Sequence, residues 1–146
     1  MSRSGYSDDC EHVGLWRGAV HRATTGYRGQ HLLRKLRDAL DAMPAKRLIV
    51  DAIRNDDGDV CALGALDPSV DEYDAEYLAD RFGIARALAA EIVYQNDELG
   101  DRYEPVDIVG RGRSWTTIHE TPEERWIRMR AWVDAQIVRG YDPESA

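Results

Sequence analysis

The chain has little cysteine, no long apolar run and no paired metal-ligand motif, and each shortage excludes a class of protein. Cys10 and Cys61 are the only two cysteines in 146 residues, too few for a disulfide framework. Reduced thiols in a cytoplasm are the expectation. The apolar stretches are short and interrupted by charge, so none reads as a transmembrane helix. Behind Arg3 the chain continues Ser4-Gly5-Tyr6-Ser7-Asp8-Asp9, without the apolar centre of a secretory signal. CxxC and HExxH spacings, internal repeats and low-complexity tracts are missing too. What is left is a soluble, cytoplasmic single domain over residues 1–146, able to bury roughly 68–70% of its unfolded surface.

Charge is present in quantity and unevenly divided. From Arg17 to Arg47 eight Lys/Arg face only Asp38 and Asp41, a net of +6. From Asp56 to Glu104 fourteen Asp/Glu face Arg81, Arg86 and Arg102, a net of −11. Asymmetry of this kind concerns partners, because long-range fields act on association more than on fold.

Periodicity predicts a mainly helical α+β domain with one short antiparallel β-hairpin. Residues 1–12 read as an irregular arm. Leu15, Trp16, Ala19, Val20 and Ala23 mark one face of a first helix, and Gly26 and Gly29 are expected to break the chain after it. A second helix runs from about Gly29 to Met43, with Leu32, Leu33, Leu36, Ala39, Leu40 and Met43 inward; Pro44 stops it. An antiparallel helix pair follows from the short Gly turn. Leu48-Ile49-Val50 and Val60-Cys61-Ala62-Leu63 flank Asp57-Gly58, which predicts the hairpin there. Ser69 and Glu72 have capping-box spacing ahead of a helix carrying Tyr73, Tyr77, Leu78 and Phe82 inward. Past Gly83, a further helix buries Ile84, Leu88, Ala89, Ile92 and Val93 and ends near Asn96. Residues 103–119 alternate weakly and read as a variable insertion or loop, with a mobile β-hairpin as one form. Thr121-Pro122-Glu123-Glu124 opens the last helix, with Trp126, Met129, Val133 and Ile137 inward and Gly140 at its end.

Candidate chemistry is sparse. Asp8, Asp9, Cys10, Glu11 and His12 are metal-ligand types, but neighbours on an extended arm point alternately and do not close a tetrahedral site. Asn55-Asp56-Asp57-Gly58-Asp59 lacks the terminal Glu of a calcium loop, since its twelfth position is Leu66, and reads as a turn. Cys61 sits in an apolar run as an inert thiol, and His21 and His31 fall on polar faces. Neither a metal nor a cofactor nor a catalytic residue is expected. The segment from Leu78 to Asn96 mimics a helix-turn-helix, but Arg86, Glu91, Gln95 and Asn96 bring too little positive charge for a recognition helix. Phosphates are better served by Arg17, Arg28, Arg34 and Arg37 of the first two helices. For a protein partner, Asp71, Asp74 and Asp80 offer an acidic surface, and Arg128 with Trp132 offers the residue types that anchor interfaces.

The order of motifs carries a resemblance. Ser4 to Asp9, Trp16-Arg17-Gly18-Ala19-Val20, Arg28-Gly29-Gln30, Cys61-Ala62-Leu63-Gly64, Phe82-Gly83-Ile84, Glu91-Ile92-Val93-Tyr94 with Asn96-Asp97, and Thr121-Pro122-Glu123 through Arg125-Trp126 follow one another. The chain so resembles an uncharacterised family of small proteins encoded by bacteriophages and prophages. The resemblance implies a phage origin and action in the cytoplasm of a bacterial host cell. With the charge split it predicts a non-enzymatic protein that binds, and inhibits, a host defence or nucleic-acid-processing factor. A nucleic-acid-binding regulator is the alternative, and a small enzyme the third.

Overall fold

The computed structural model describes residues 13–71 and 74–139. The N-terminal arm with its Asp8–His12 cluster, Glu72, Tyr73 and Gly140 lie outside the described residues. Among the described residues, six helices and one two-stranded antiparallel sheet form the α+β fold. None of those helices is long and apolar enough to cross a membrane.

Helix α1 (Val13–Thr25) leads through Gly26 alone into α2 (Tyr27–Ala42). Gly29 does not break the chain; it lies in the first turn of α2. A methyl group there would run into the Ala23 carbonyl oxygen, so the residue serves the close approach of the two helices. Val20 and Thr24, one turn apart, are the buried residues of α1 among those described. They shift its inner arc away from Leu15, which the periodicity placed inward and which is 74% exposed. Of the expected apolar stripe of α2, Leu32, Leu33, Leu36 and Leu40 are buried, while Ala39 and the C-cap Met43 are half-buried.

The chain from Met43 to Val60 departs from the expected hairpin. The turn forms, with the Gly58 amide donating to the Asn55 carbonyl at 3.1 Å and Gly58 at φ 83°. Its flanks share only the bridge Arg54–Val60 and isolated hydrogen bonds such as Ile49 N–H to Val60 O. Leu48 is engaged elsewhere: its amide donates to Pro122 O (3.0 Å), and its carbonyl accepts from the buried Arg125 guanidinium (2.9 Å). The second flank turns helical, because Asn96 Oδ1 caps the Ala62 amide at 3.1 Å and starts α3 (Ala62–Leu66). Cys61 is accordingly the residue before a helix, and buried.

Helix α4 (Ala75–Phe82) starts later than the Ser69 signal suggests. Asp74 is its cap, accepting from the Glu76 and Tyr77 amides at 2.9 and 3.1 Å. Ser69 donates to Asp67 instead and accepts from Arg81. Leu78 is buried and Phe82 packs on the core, but Tyr77 is exposed. Gly83 closes the helix at φ 66°, a left-handed position that suits glycine. Helix α5 (Arg86–Asp97) buries Leu88, Ala89, Ile92 and Val93 of the expected stripe, and Ile84 is buried just ahead of its cap.

The sheet is made by β1 (Arg102–Ile108) and β2 (Gly112–Ile118), inside the stretch read as an insertion or loop. Helix α6 (Pro122–Gln136) follows with the full capping box between Thr121 and Glu124. Met129 and Val133 are buried, Trp126 and Ile137 pack against the core, and Trp126 Nε1 donates to the last-turn carbonyl of Leu40 at 3.1 Å. Helix α2 packs on α1, α3 and α6, while α5 packs on α1, α3, α4 and α6. One core lies between these two helices.

Candidate interaction surfaces

The fold folds part of the charge asymmetry inward. Arg17 reaches from α1 to α5 and grips Glu91 with both arms, at 3.1 and 2.6 Å. Gln95 adds a third donor at 3.0 Å, and the Arg17 guanidinium lies 5.2 Å from the Trp16 ring centre. Glu91 is 2% exposed, so its charge is held by these donors rather than by water. Asn96 is buried too: its carboxamide donates to Ile49 O and accepts from Ala62. With Glu91 and Asn96 inside, α5 is a core helix and presents no recognition face. Arg47 pairs with Asp59 at 2.8 Å and Arg130 with Asp41 at 2.7 Å, the first across the basic–acidic divide of the sequence.

Of the four arginines proposed for phosphates, Arg17 lines one cleft and Arg34 and Arg37 another, and the two clefts share Ala135, Ile137 and Val138. Arg17 lines a cleft of about 480 Å³ with Glu91, Gln95, His21 and Trp132. Arg28 is exposed on the first turn of α2. Arg34, whose Nη2 donates to Val138 O, and Arg37, which contacts Asp38 at 3.5 Å, line a second cleft of about 530 Å³ with Arg139 and Asp134. Arg17 and Trp132, offered for different partners, share one cleft.

The acidic candidates Asp71, Asp74 and Asp80 are all exposed, and Asp74 is also the α4 cap. Nearby, Asp67 is held below the usual carboxylate range, first by the Ser69 hydroxyl and amide and then by Arg81. Arg128 is drawn into the fold. Its guanidinium donates to both Glu120 oxygens (2.7 and 3.0 Å) and to the Gln95 carbonyl (2.6 Å), which fixes its place in the fold with 25% of the side chain exposed. Trp132 is partly buried against the core.

Glu120 was not visible as a key residue in the sequence. Its nearly buried carboxylate holds Arg128 and, as an ion pair at 3.3 Å without hydrogen-bond geometry, Arg125 Nε. Burial pushes the Arg125 guanidinium pKa down and Glu120 opposes this. Beside it Asp101 accepts the Glu120 amide (3.1 Å) and contacts His119 Nδ1 (3.1 Å). The amide bond chiefly lowers the Asp101 pKa, with His119 adding to it. The two ends of the hairpin are thereby tied to each other and to α5 and α6.

Above this foot the hairpin stands in solvent, every residue of it exposed except the half-buried Ile118. The Arg111 amide closes the tip on Ile108 O at 3.0 Å, with Gly110 at φ 80° and Val109 fully exposed. Directly paired residues share a face, so the register Tyr103–Thr117, Pro105–Trp115 and Asp107–Arg113 puts Tyr103, Pro105 and Trp115 together. Trp115 is 71% exposed and Tyr103 68%. Among the described residues no group of three or more His, Cys, Asp or Glu has the arrangement to hold a metal. Comparison with known protein families, with curated proteins and with solved structures gives no match.

Proposed function

We propose that this is a non-enzymatic interaction protein of phage origin that binds a host defence or nucleic-acid-processing factor in the bacterial cytoplasm and inhibits it. The observation that carries the binding part is the hairpin: Trp115 and Tyr103, residue types that anchor interfaces, sit beside Pro105 on one wet face. Origin and inhibition rest on the family resemblance and the charge split. Asp71 and Asp80 supply steering, which changes association rate, and a desolvated aromatic anchor changes dissociation.

The experiment is affinity capture from a bacterial host lysate by the wild type and by Trp115→Ala with Tyr103→Ala in parallel. A host protein retained by the first and lost by the second, with circular dichroism unchanged, is the expected outcome. Equal retention by both would move the interface off the hairpin. Nucleic-acid binding is the second reading, favoured by Arg34, Arg37 and Arg139 around one cleft. A mobility shift at low salt, abolished by Arg34→Glu with Arg37→Glu, would support it; no shift for the wild type ends it.

A further inference from the structure

The geometry points to the outer edge of β2 as the pairing site for the same strand of a second copy, two chains joining about a two-fold axis at Trp115. This needs no host partner, although it uses the same hairpin and Trp115 as the reading above.

A two-stranded ribbon is marginal alone in water and gains independent stability with a third strand or a covering layer. Here both strands are exposed, and among the described residues neither outer edge has a strand partner. The edges are not equivalent. The Ile108 carbonyl accepts from Arg111 across the tip, so it points between the strands. Backbone direction alternates along a strand, so Tyr103, Pro105 and Asp107 direct their main-chain groups outward on β1, and Arg113, Trp115 and Thr117 do so on β2. Pro105 has no N–H, which leaves the β1 edge without its central donor, and Glu104 and Asp107 add charge to that strand. Proline and charge are the usual guards of a free edge. The β2 edge, Gly112-Arg113-Ser114-Trp115-Thr116-Thr117-Ile118, keeps all three outward donors and contains no carboxylate.

That edge is complementary to itself. Antiparallel pairing about Trp115 sets Trp115 opposite Trp115 and Arg113 opposite Thr117 of the second copy. All three outward N–H and C=O pairs of each strand are then used. Charge favours this occupant at this place. The chain carries −8 overall, yet the hairpin, with Arg102, Arg111 and Arg113 against Glu104 and Asp107, is +1. Two copies therefore meet at a segment free of the net acidic charge of the whole chain, and the register keeps the two Arg113 roughly 13 Å apart along the strands. One face of the four-stranded sheet becomes a row of Pro105, Trp115, Trp115 and Pro105, with cross-strand aromatic contact at the axis. The contact is isologous and closes at two chains.

Sedimentation velocity from micromolar to millimolar protein is expected to show a reversible species of twice 16.5 kDa. Thr117→Pro deletes an outward donor in each copy and is expected to weaken the dimer about tenfold or more. Cysteine cross-linking in a Cys10→Ser background tests the register without disturbing the backbone. In this register the Trp115→Cys pair has Cα atoms about 5.5 Å apart, within disulfide reach. A Ser114→Cys pair is offset by two residues to roughly 8 Å and stays unlinked. A monomer at every concentration, a Thr117→Pro variant that dimerises like the wild type, or equal cross-linking at both positions would overturn the proposal.

Discussion

Leu33, Leu36 and Leu40 on α2 keep no solvent exposure, whereas Trp115 on β2 keeps 71% of its surface in water. The helical body gathers most of its large apolar residues into one core, leaving Leu15 on α1 and Ile127 on α6 exposed, and folds Glu91 and Asn96 inside with partners. The hairpin displays an aromatic, a tyrosine and a fully exposed valine, and contributes none of the buried core. Burial of apolar surface is the main driving force of folding, so the body holds the stability. The hairpin holds surface that has no folding role to explain it.

The largest expected effect tests the body. Leu36→Ala is predicted to lower unfolding free energy by roughly 2–5 kcal/mol, as truncation of a core leucine does; urea unfolding measures it, and a loss near zero would contradict the core. Arg17→Ala comes next. It leaves the Glu91 carboxylate buried with Gln95 as a remaining donor, and roughly 1–3 kcal/mol should be lost. Arg17→Ala with Glu91→Gln should recover part of that, since the unpaired charge is gone.

Acid should separate foot from core. Asp101 titrates below its ordinary 3.8 in the folded state, chiefly through the Glu120 amide. A depressed carboxylate contributes stability that is present above its unfolded pKa and lost as pH falls through the folded one. Lowering pH below about 4 should therefore loosen the hairpin foot, and Asp101→Asn should reduce that dependence. Backbone amide shifts of Asp101 and Glu120 followed by NMR report it. The smallest effect is expected at the most conspicuous residue: Trp115→Ala should change unfolding free energy by no more than about 0.5 kcal/mol. A larger loss would make the hairpin part of the core after all.

Much of the body was legible in the sequence. The stripes of α2 and α5, the Gly83 break and the Thr121 capping box are local signals, set by residues three or four apart. The misplaced hairpin has a non-local cause. Asp57-Gly58 between apolar runs is a sound turn signal, but Arg125 takes the first run and Asn96 turns the second into α3, from positions distant in the chain. The partners of Arg128 are non-local in the same way, because nothing near it in sequence reveals Glu120 or the Gln95 carbonyl. The real hairpin was faint because both its faces are wet, which removes the apolar alternation that marks a half-buried strand. Asp74 was selected for its charge; it is exposed and also caps α4.

The seat of Glu120 between two arginines sets where the molecule divides when it opens. Gly100 lies so close that a methyl on it would meet the Glu120 carboxylate, and Asp101 holds the amide on the other side. Hydrogen exchange should consequently change abruptly at this seat. Amides from Arg102 to Ile118 exchange through opening of the ribbon, while the α5 and α6 amides behind the seat wait for the body to unfold. Anything that seizes the tip at Val109 pulls against one carboxylate before it reaches the core.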